Sequence, residues 1–199
     1  MKFKKILQAA FAGSITMFVW GTISHIFIIT GIGYKPLPNE SNFMHTFKDT
    51  ISKKGLYFFP GKAFKNTTPD EEKQWLNKYE NGPVGLLIYR PIGGNPFSVK
   101  KLVVQYVAYL LSSFLSLLII ANSNTYYWKN VLTVSLIGLI GCLSVSIIYW
   151  NWYEYPNSFI AAQFADITIG FFLLGLVISK FKIYKNNTKD YEYNKKNKH

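Results

Sequence analysis

Apolar positions run almost unbroken through four stretches of the chain, 6–32, 102–121, 131–150 and 158–179. Each is long enough for a helix to cross a ~30 Å hydrocarbon core, which takes about 20 residues. The first three carry no charge and the fourth carries only Asp166, so the pattern predicts four transmembrane helices.

Between the first two stretches the periodicity changes to that of a soluble piece. Phe43, Met44, Phe47 and Ile51 recur at helical spacing behind Asn39 or Ser41, either of which can cap; this predicts a helix running to about Lys54 and ended by Gly55. Residues 56–60, LYFFP, form a short aromatic strand candidate. Thr68-Pro69-Asp70-Glu71-Glu72 then sets an N-cap, a first-position proline, a capping-box glutamate and first-turn acids in register for a second helix. Trp75, Leu76 and Tyr79 are its expected buried face. Gly82-Pro83 stops it before a second strand, VGLLIYR, at 84–90. Strand, helix, strand in that order permits a βαβ unit.

The expected fold is therefore membrane all-α: a four-transmembrane-helix bundle with a small extracytoplasmic α+β domain between the first and second helices. Its parts are 1–32 (cytoplasmic N-terminus and first helix), 33–100 (the domain), 101–180 (helices two to four) and 181–199 (a basic cytoplasmic tail).

Composition agrees, with 49% hydrophobic residues against 16% charged in a chain of 199. A secretory signal competes for the first stretch, because Met-Lys-Phe-Lys-Lys is a basic start and Ala10-Phe11-Ala12 resembles a cleavage site. Only about five apolar or neutral residues precede that site, too few for a signal's apolar region, so the stretch reads as a retained helix. Lys2, Lys4 and Lys5 at one end, and Lys180, Lys182, Lys185, Lys189, Lys195, Lys196 and Lys198 at the other, place both termini in the cytoplasm and residues 33–100 outside it. The expected location is a bacterial cytoplasmic (inner) membrane, which makes the domain periplasmic.

The net charge of +12 raises nucleic-acid binding, with Phe181, Tyr184, Tyr191 and Tyr193 interleaved in the basic tail. Orientation signals and anionic-lipid attraction, worth roughly 1 kcal/mol per lysine near the surface, already account for it. Arg90 is the single arginine, so a bidentate phosphate clamp is missing elsewhere. Expected partners are membrane lipids, an apolar small molecule or a partner membrane protein, with no nucleic acid. Cys142 stands alone, which excludes an intrachain disulfide, a cysteine-based metal cluster and dithiol redox chemistry.

Ionisable groups in hydrocarbon cost ~2.5 to 3.5 kcal/mol and normally turn towards protein or water. His25 and Asp166 are the two here, each about eight residues from the outer end of its span, hence roughly 12 Å deep at about 1.5 Å per residue. Helical spacing sets Ser14, Phe18, Gly21, Thr22 and His25 on one stripe, and Ala162, Gln163, Asp166 and Gly170 on another. Gln105, Tyr109, Ser112, Ser113 and Ser116 follow helical steps on the second span, and Ser144 and Ser146 bring in the third. The turn 150–156, WNWYEYP, reads first as an interfacial aromatic belt, though Trp150, Asn151 and Glu154 can also reach the mouth of a pocket. Glu40 and His45 come from the domain, where His45 and Asp49 also form an ordinary i,i+4 surface pair.

This inventory lacks the two membrane histidines of a bis-histidine haem, an H-E-x-x-H zinc motif, a P-loop and a G-x-S-x-G elbow. No metal site is expected, and the residues leave the identity of any cofactor open. Transport is disfavoured because only scattered hydroxyls lead inward. Two functions from different classes stay open. The first is a binding or accessory component using an outer-leaflet polar pocket, with Thr22, Gln105, Gln163, Asn151, Glu154, Trp150 and Glu40 as ligand contacts. The second is an outer-leaflet enzyme acting on a lipid-linked or quinone-like substrate, with His25 as general base oriented by Asp166 and Tyr109 polarising the substrate. A contact between His25 and Asp166 that only fixes helix packing is the plainer reading of that pair.

Overall fold

The computed structural model describes residues 2–62, 67–121 and 126–181. From residue 182 onward the expected basic tail lies outside the described residues. Helix occupies 74% of what is described. The order is α1 (Lys2–Ser24), a π-helical segment (His25–Gly33), α2 (Glu40–Thr50), β1 (Gly55–Phe59), α3 (Pro69–Asn81), β2 (Gly85–Tyr89), α4 (Val99–Ala121), α5 (Tyr127–Tyr153) and α6 (Asn157–Ile178). Contacts divide the chain into two units, one holding the long helices and one built on 35–96 with 152–154.

Four helices are long and apolar enough to cross a membrane: α1 continued by the π segment (Phe3–Gly33), α4, α5 and α6. Their large apolar side chains face outward. Phe11, Ile15, Val19 and Ile23 recur every four residues along α1, as do Val103, Val107, Leu111 and Leu115 along α4, and all are exposed. That arrangement would be costly in water, whereas lipid solvates such a face. Small residues fill the inside instead, which lets helix backbones approach. On α1 the buried stripe is Ala10, Gly13, Ser14, Met17, Gly21 and Ser24.

Glycines mark the closest approaches. A Cβ on Gly13 would meet Ser113 Oγ of α4 at 2.3 Å and Leu174 and Ile178 of α6 at 2.6 and 2.7 Å. One on Gly138 would meet Phe171 at 2.5 Å, and one on Gly175 would meet the Val131 backbone at 3.0 Å. Gly21 faces Tyr109 and Gly33 faces Phe159. These pairings run antiparallel between α1 and both α4 and α6, and between α5 and α6. Ala9, Ala10, Leu117, Ile120, Val134, Leu174 and Ile178 form a dry cluster at the end of the bundle where α1 begins, called the near end below.

The sequence pattern extends the first helix as regular α-helix, but from His25 the backbone widens to π geometry for nine residues. The Thr30 hydroxyl donates to the His25 carbonyl at 2.6 Å, five residues back, which is the spacing of the π ladder itself.

The second unit holds α2, α3 and a two-stranded sheet. Its strands are antiparallel, with Tyr57 opposite Leu87 at the centre, which corrects the βαβ expectation. Parallel strands need both faces covered, whereas an antiparallel ribbon tolerates one solvated face; here the cross-strand pair Leu56 and Ile88 stays 66% and 79% exposed. Helix α2 stops at Thr50, short of Lys54, as Ile51 turns extended, and Gly55 opens β1 rather than capping a helix. Helix α3 begins with the full capping box: Thr68 N–H and Oγ1 donate to Glu71 Oε2 at 2.8 and 2.9 Å, and Glu71 N–H donates to Thr68 Oγ1 at 3.3 Å. Trp75 Nε1 donates to the Pro60 carbonyl at 3.0 Å, Tyr79 stacks on Phe58, and Phe47 meets Tyr89 edge-on. Leu76, expected inside, is 45% exposed.

Candidate functional site

Polar side chains gather along the faces where α1, α4 and α6 meet. Trp20 lies over Gly170, where a Cβ would meet the indole at 3.1 Å, and its Nε1 donates to the Asp166 main-chain carbonyl at 2.9 Å. On the next residue, Gly21 accommodates the Tyr109 hydroxyl, which a Cβ there would meet at 2.2 Å. Tyr109 has the Gln105 amide beside it and the Asp166 carboxylate within electrostatic reach. Two glycines therefore seat two aromatic side chains, Trp20 against α6 at Asp166 and Tyr109 against α1 at Gly21, with Gln105 beside Tyr109.

Hydroxyls continue this seam towards the near end. Ser14 and Tyr106 lie 3.2 Å apart, the Ser14 hydroxyl also reaching the Phe11 carbonyl at 2.9 Å. Ser113 and Ser116 follow on α4, both buried. The dry cluster of Ala9, Ala10, Leu117, Leu174 and Ile178 then closes the seam. Ser24 and Ser113 are fully buried with no hydrogen-bond partner for their hydroxyls.

A second polar chain joins α5 to α6: Cys142 Sγ to Ser146 Oγ at 3.6 Å, then Ser146 Oγ to Gln163 Oε1 at 3.2 Å. Beyond it, towards the end away from the dry cluster, α5 and α6 leave an open groove of about 430 Å³ lined by Ile147, Trp150, Asn157, Ile160, Ala161, Phe164 and Ala165. Apart from the Trp150 Nε1 to Asn157 Oδ1 hydrogen bond at 2.7 Å, its walls are apolar.

Of the residues expected at a site, Asp166, Tyr109 and Gln105 come together, Gln163 joins α5 through Ser146, and Trp150 lines the groove. His25 opens the π segment with an exposed side chain, and Thr22 is exposed with its hydroxyl donated to the Phe18 carbonyl at 2.8 Å. Among the described residues Lys62 pairs with Glu72, and no ion pair joins His25 to Asp166. Trp20 meets α6 at Asp166, which sets that residue about five residues, or ~7.5 Å of helix, from the level of His25. Ser24, not His25, occupies the buried stripe. Asn151, Glu154 and Glu40 are exposed, with Glu154 in the left-handed backbone region at φ 52°. No group of three or more metal-ligating side chains occurs among the described residues.

Sequence reasoning passed over Trp20, Asn157 and the groove. A signal existed for the first, since tryptophan favours membrane interfaces and one well inside a span calls for a partner. Ala161 and Ala165, four apart, were a fainter sign of the groove.

Four such helices, apolar outside and closely packed within, make the chain a multi-pass membrane protein. No family model matches it, and no curated protein or solved structure matches it either.

Proposed function

We propose that this protein is a binding or accessory component of a bacterial inner membrane. In this reading both termini are cytoplasmic and the unit between the first two spans is extracytoplasmic, as the flanking lysines favour. The ligand is a membrane lipid whose chain lies in the α5–α6 groove of the outer leaflet. The groove carries this reading: an open apolar trough with one amide and indole pair at the end nearest the α5–α6 turn suits a molecule with a polar end at the interface and a hydrocarbon body below. From Asn157 to Ala165 it follows about 12 Å of helix, at about 1.5 Å per residue. The seam on the other flank of α6 supports binding over transport, because it meets a dry cluster before the near end.

Brominated-lipid quenching of the full chain in nanodiscs tests this. Lipids brominated along the acyl chain should quench Trp150 more strongly than bulk-exposed Trp128. Ala161→Trp, which fills the trough, should displace co-purifying lipid in native mass spectra. Equal quenching of the two indoles, or unchanged lipid occupancy in the filled variant, would refute the proposal.

A further inference from the structure

We infer that Asp166, with Trp20 and Tyr109, forms a membrane-embedded site for an organic ammonium group. Asp166 is the one carboxylate within the four spans, and the spans hold no lysine or arginine at its level. Unless a cation from outside the chain pairs with it, the carboxyl stays an unpaired ion in hydrocarbon or is neutralised by a proton. The residue is half-buried, the Trp20 indole donates to its main-chain carbonyl, and the Tyr109 hydroxyl packs on Gly21, the residue after Trp20. A carboxylate on a turn of α6 that an indole covers, with a phenol on the neighbouring α4, offers both attractions that a weakly hydrated cation seeks, opposite charge and aromatic π-density. A metal ion fits poorly, since no group of three or more metal-ligating side chains occurs among the described residues.

The site is distinct from the α5–α6 groove, and its test is separable from that of the groove. Octyltrimethylammonium is the probe, with octanol as its uncharged counterpart, and the full chain is held in phosphatidylglycerol nanodiscs. An apolar carbodiimide labels Asp166, followed by mass spectrometry of its peptide. Octyltrimethylammonium should slow labelling about tenfold while octanol leaves it unchanged, and Asp166→Asn should bind the ammonium about tenfold more weakly. Ala161→Trp, which fills only the groove, should keep the protection. If adding phosphatidylcholine or phosphatidylethanolamine to the discs also protects, the natural ammonium is a lipid headgroup; protection by the probe alone points to a soluble amphiphile. Equal labelling with the ammonium and with octanol in the wild-type chain overturns the site whether or not Asp166→Asn folds.

Discussion

The two units of this protein are held together by opposite means. In the helical unit the tightest contacts are those of glycine and serine, and Ser14, Ser24 and Ser113 are fully buried while large apolar side chains face outward. In the unit of α2, α3 and the β-ribbon, no described residue between 35 and 96 is fully buried. That unit depends on aromatic pairs, the Trp75 to Pro60 hydrogen bond, Lys62 over the Trp75 ring at 4.6 Å, and the capping box of α3. The difference follows from solvent. Lipid gives helices no reason to hide apolar surface, so close backbone approach decides their packing, whereas a small water-facing unit with little to bury leans on directional local contacts.

The sharpest way to break this contrast is to add volume at a helix crossing. Gly13→Val should destabilise the helical unit by about 3 kcal/mol or abolish folding, since overpacking a tight contact costs about 1–3 kcal/mol or more. Gly31→Val, where nothing lies within 4 Å, should be nearly silent in the same unfolding titration in detergent. If the two behave alike, small-residue packing is not what joins these helices.

Next in size is Trp75→Ala, which removes a half-buried ring, a hydrogen bond and the platform under Lys62. It should cost about 3 kcal/mol, at the lower end of aromatic truncations, with the loss confined to amides of 40–90 in hydrogen exchange. Protection lost equally in α4 and α6 would contradict independent support of the two units.

Thr68→Ala should cost the α3 start about 1 kcal/mol. It should also flatten a pH dependence. The Thr68 backbone N–H and hydroxyl hold Glu71 below the ordinary carboxylate range, so its contribution is present above the unfolded-state value and is lost as pH falls through the lowered folded one. Hydrogen exchange at residues 69–72 in acid checks the sign: wild type should lose protection as the pH drops, and Thr68→Ala should show less change.

The smallest effect is expected from Gln163→Leu, about 0.6 kcal/mol, because hydrogen bonds between membrane helices average near that value. A loss of several kcal/mol would mean that the Cys142–Ser146–Gln163 chain carries more of the α5–α6 contact than the glycines do.

What could be read from residues alone was whatever depends on local order. The four spans follow from runs of apolar residues, and the α3 start follows from Thr68, Pro69 and Glu71, which satisfy one another's backbone groups within one turn. Asp166, Tyr109 and Gln105 stood out as polar groups in apolar runs, which must face something, but the runs alone do not make them a site. Strand direction in the ribbon, the turn to π geometry at His25 and the partner that Asp166 meets were decided only in three dimensions. The last of these depends on which glycine admits which aromatic ring: Gly170 takes Trp20, which sets the level of α1 against α6, and Gly21 takes Tyr109, which sets α1 against α4. Helical spacing puts side chains on a common stripe, but it holds no information about how far one helix slides along another.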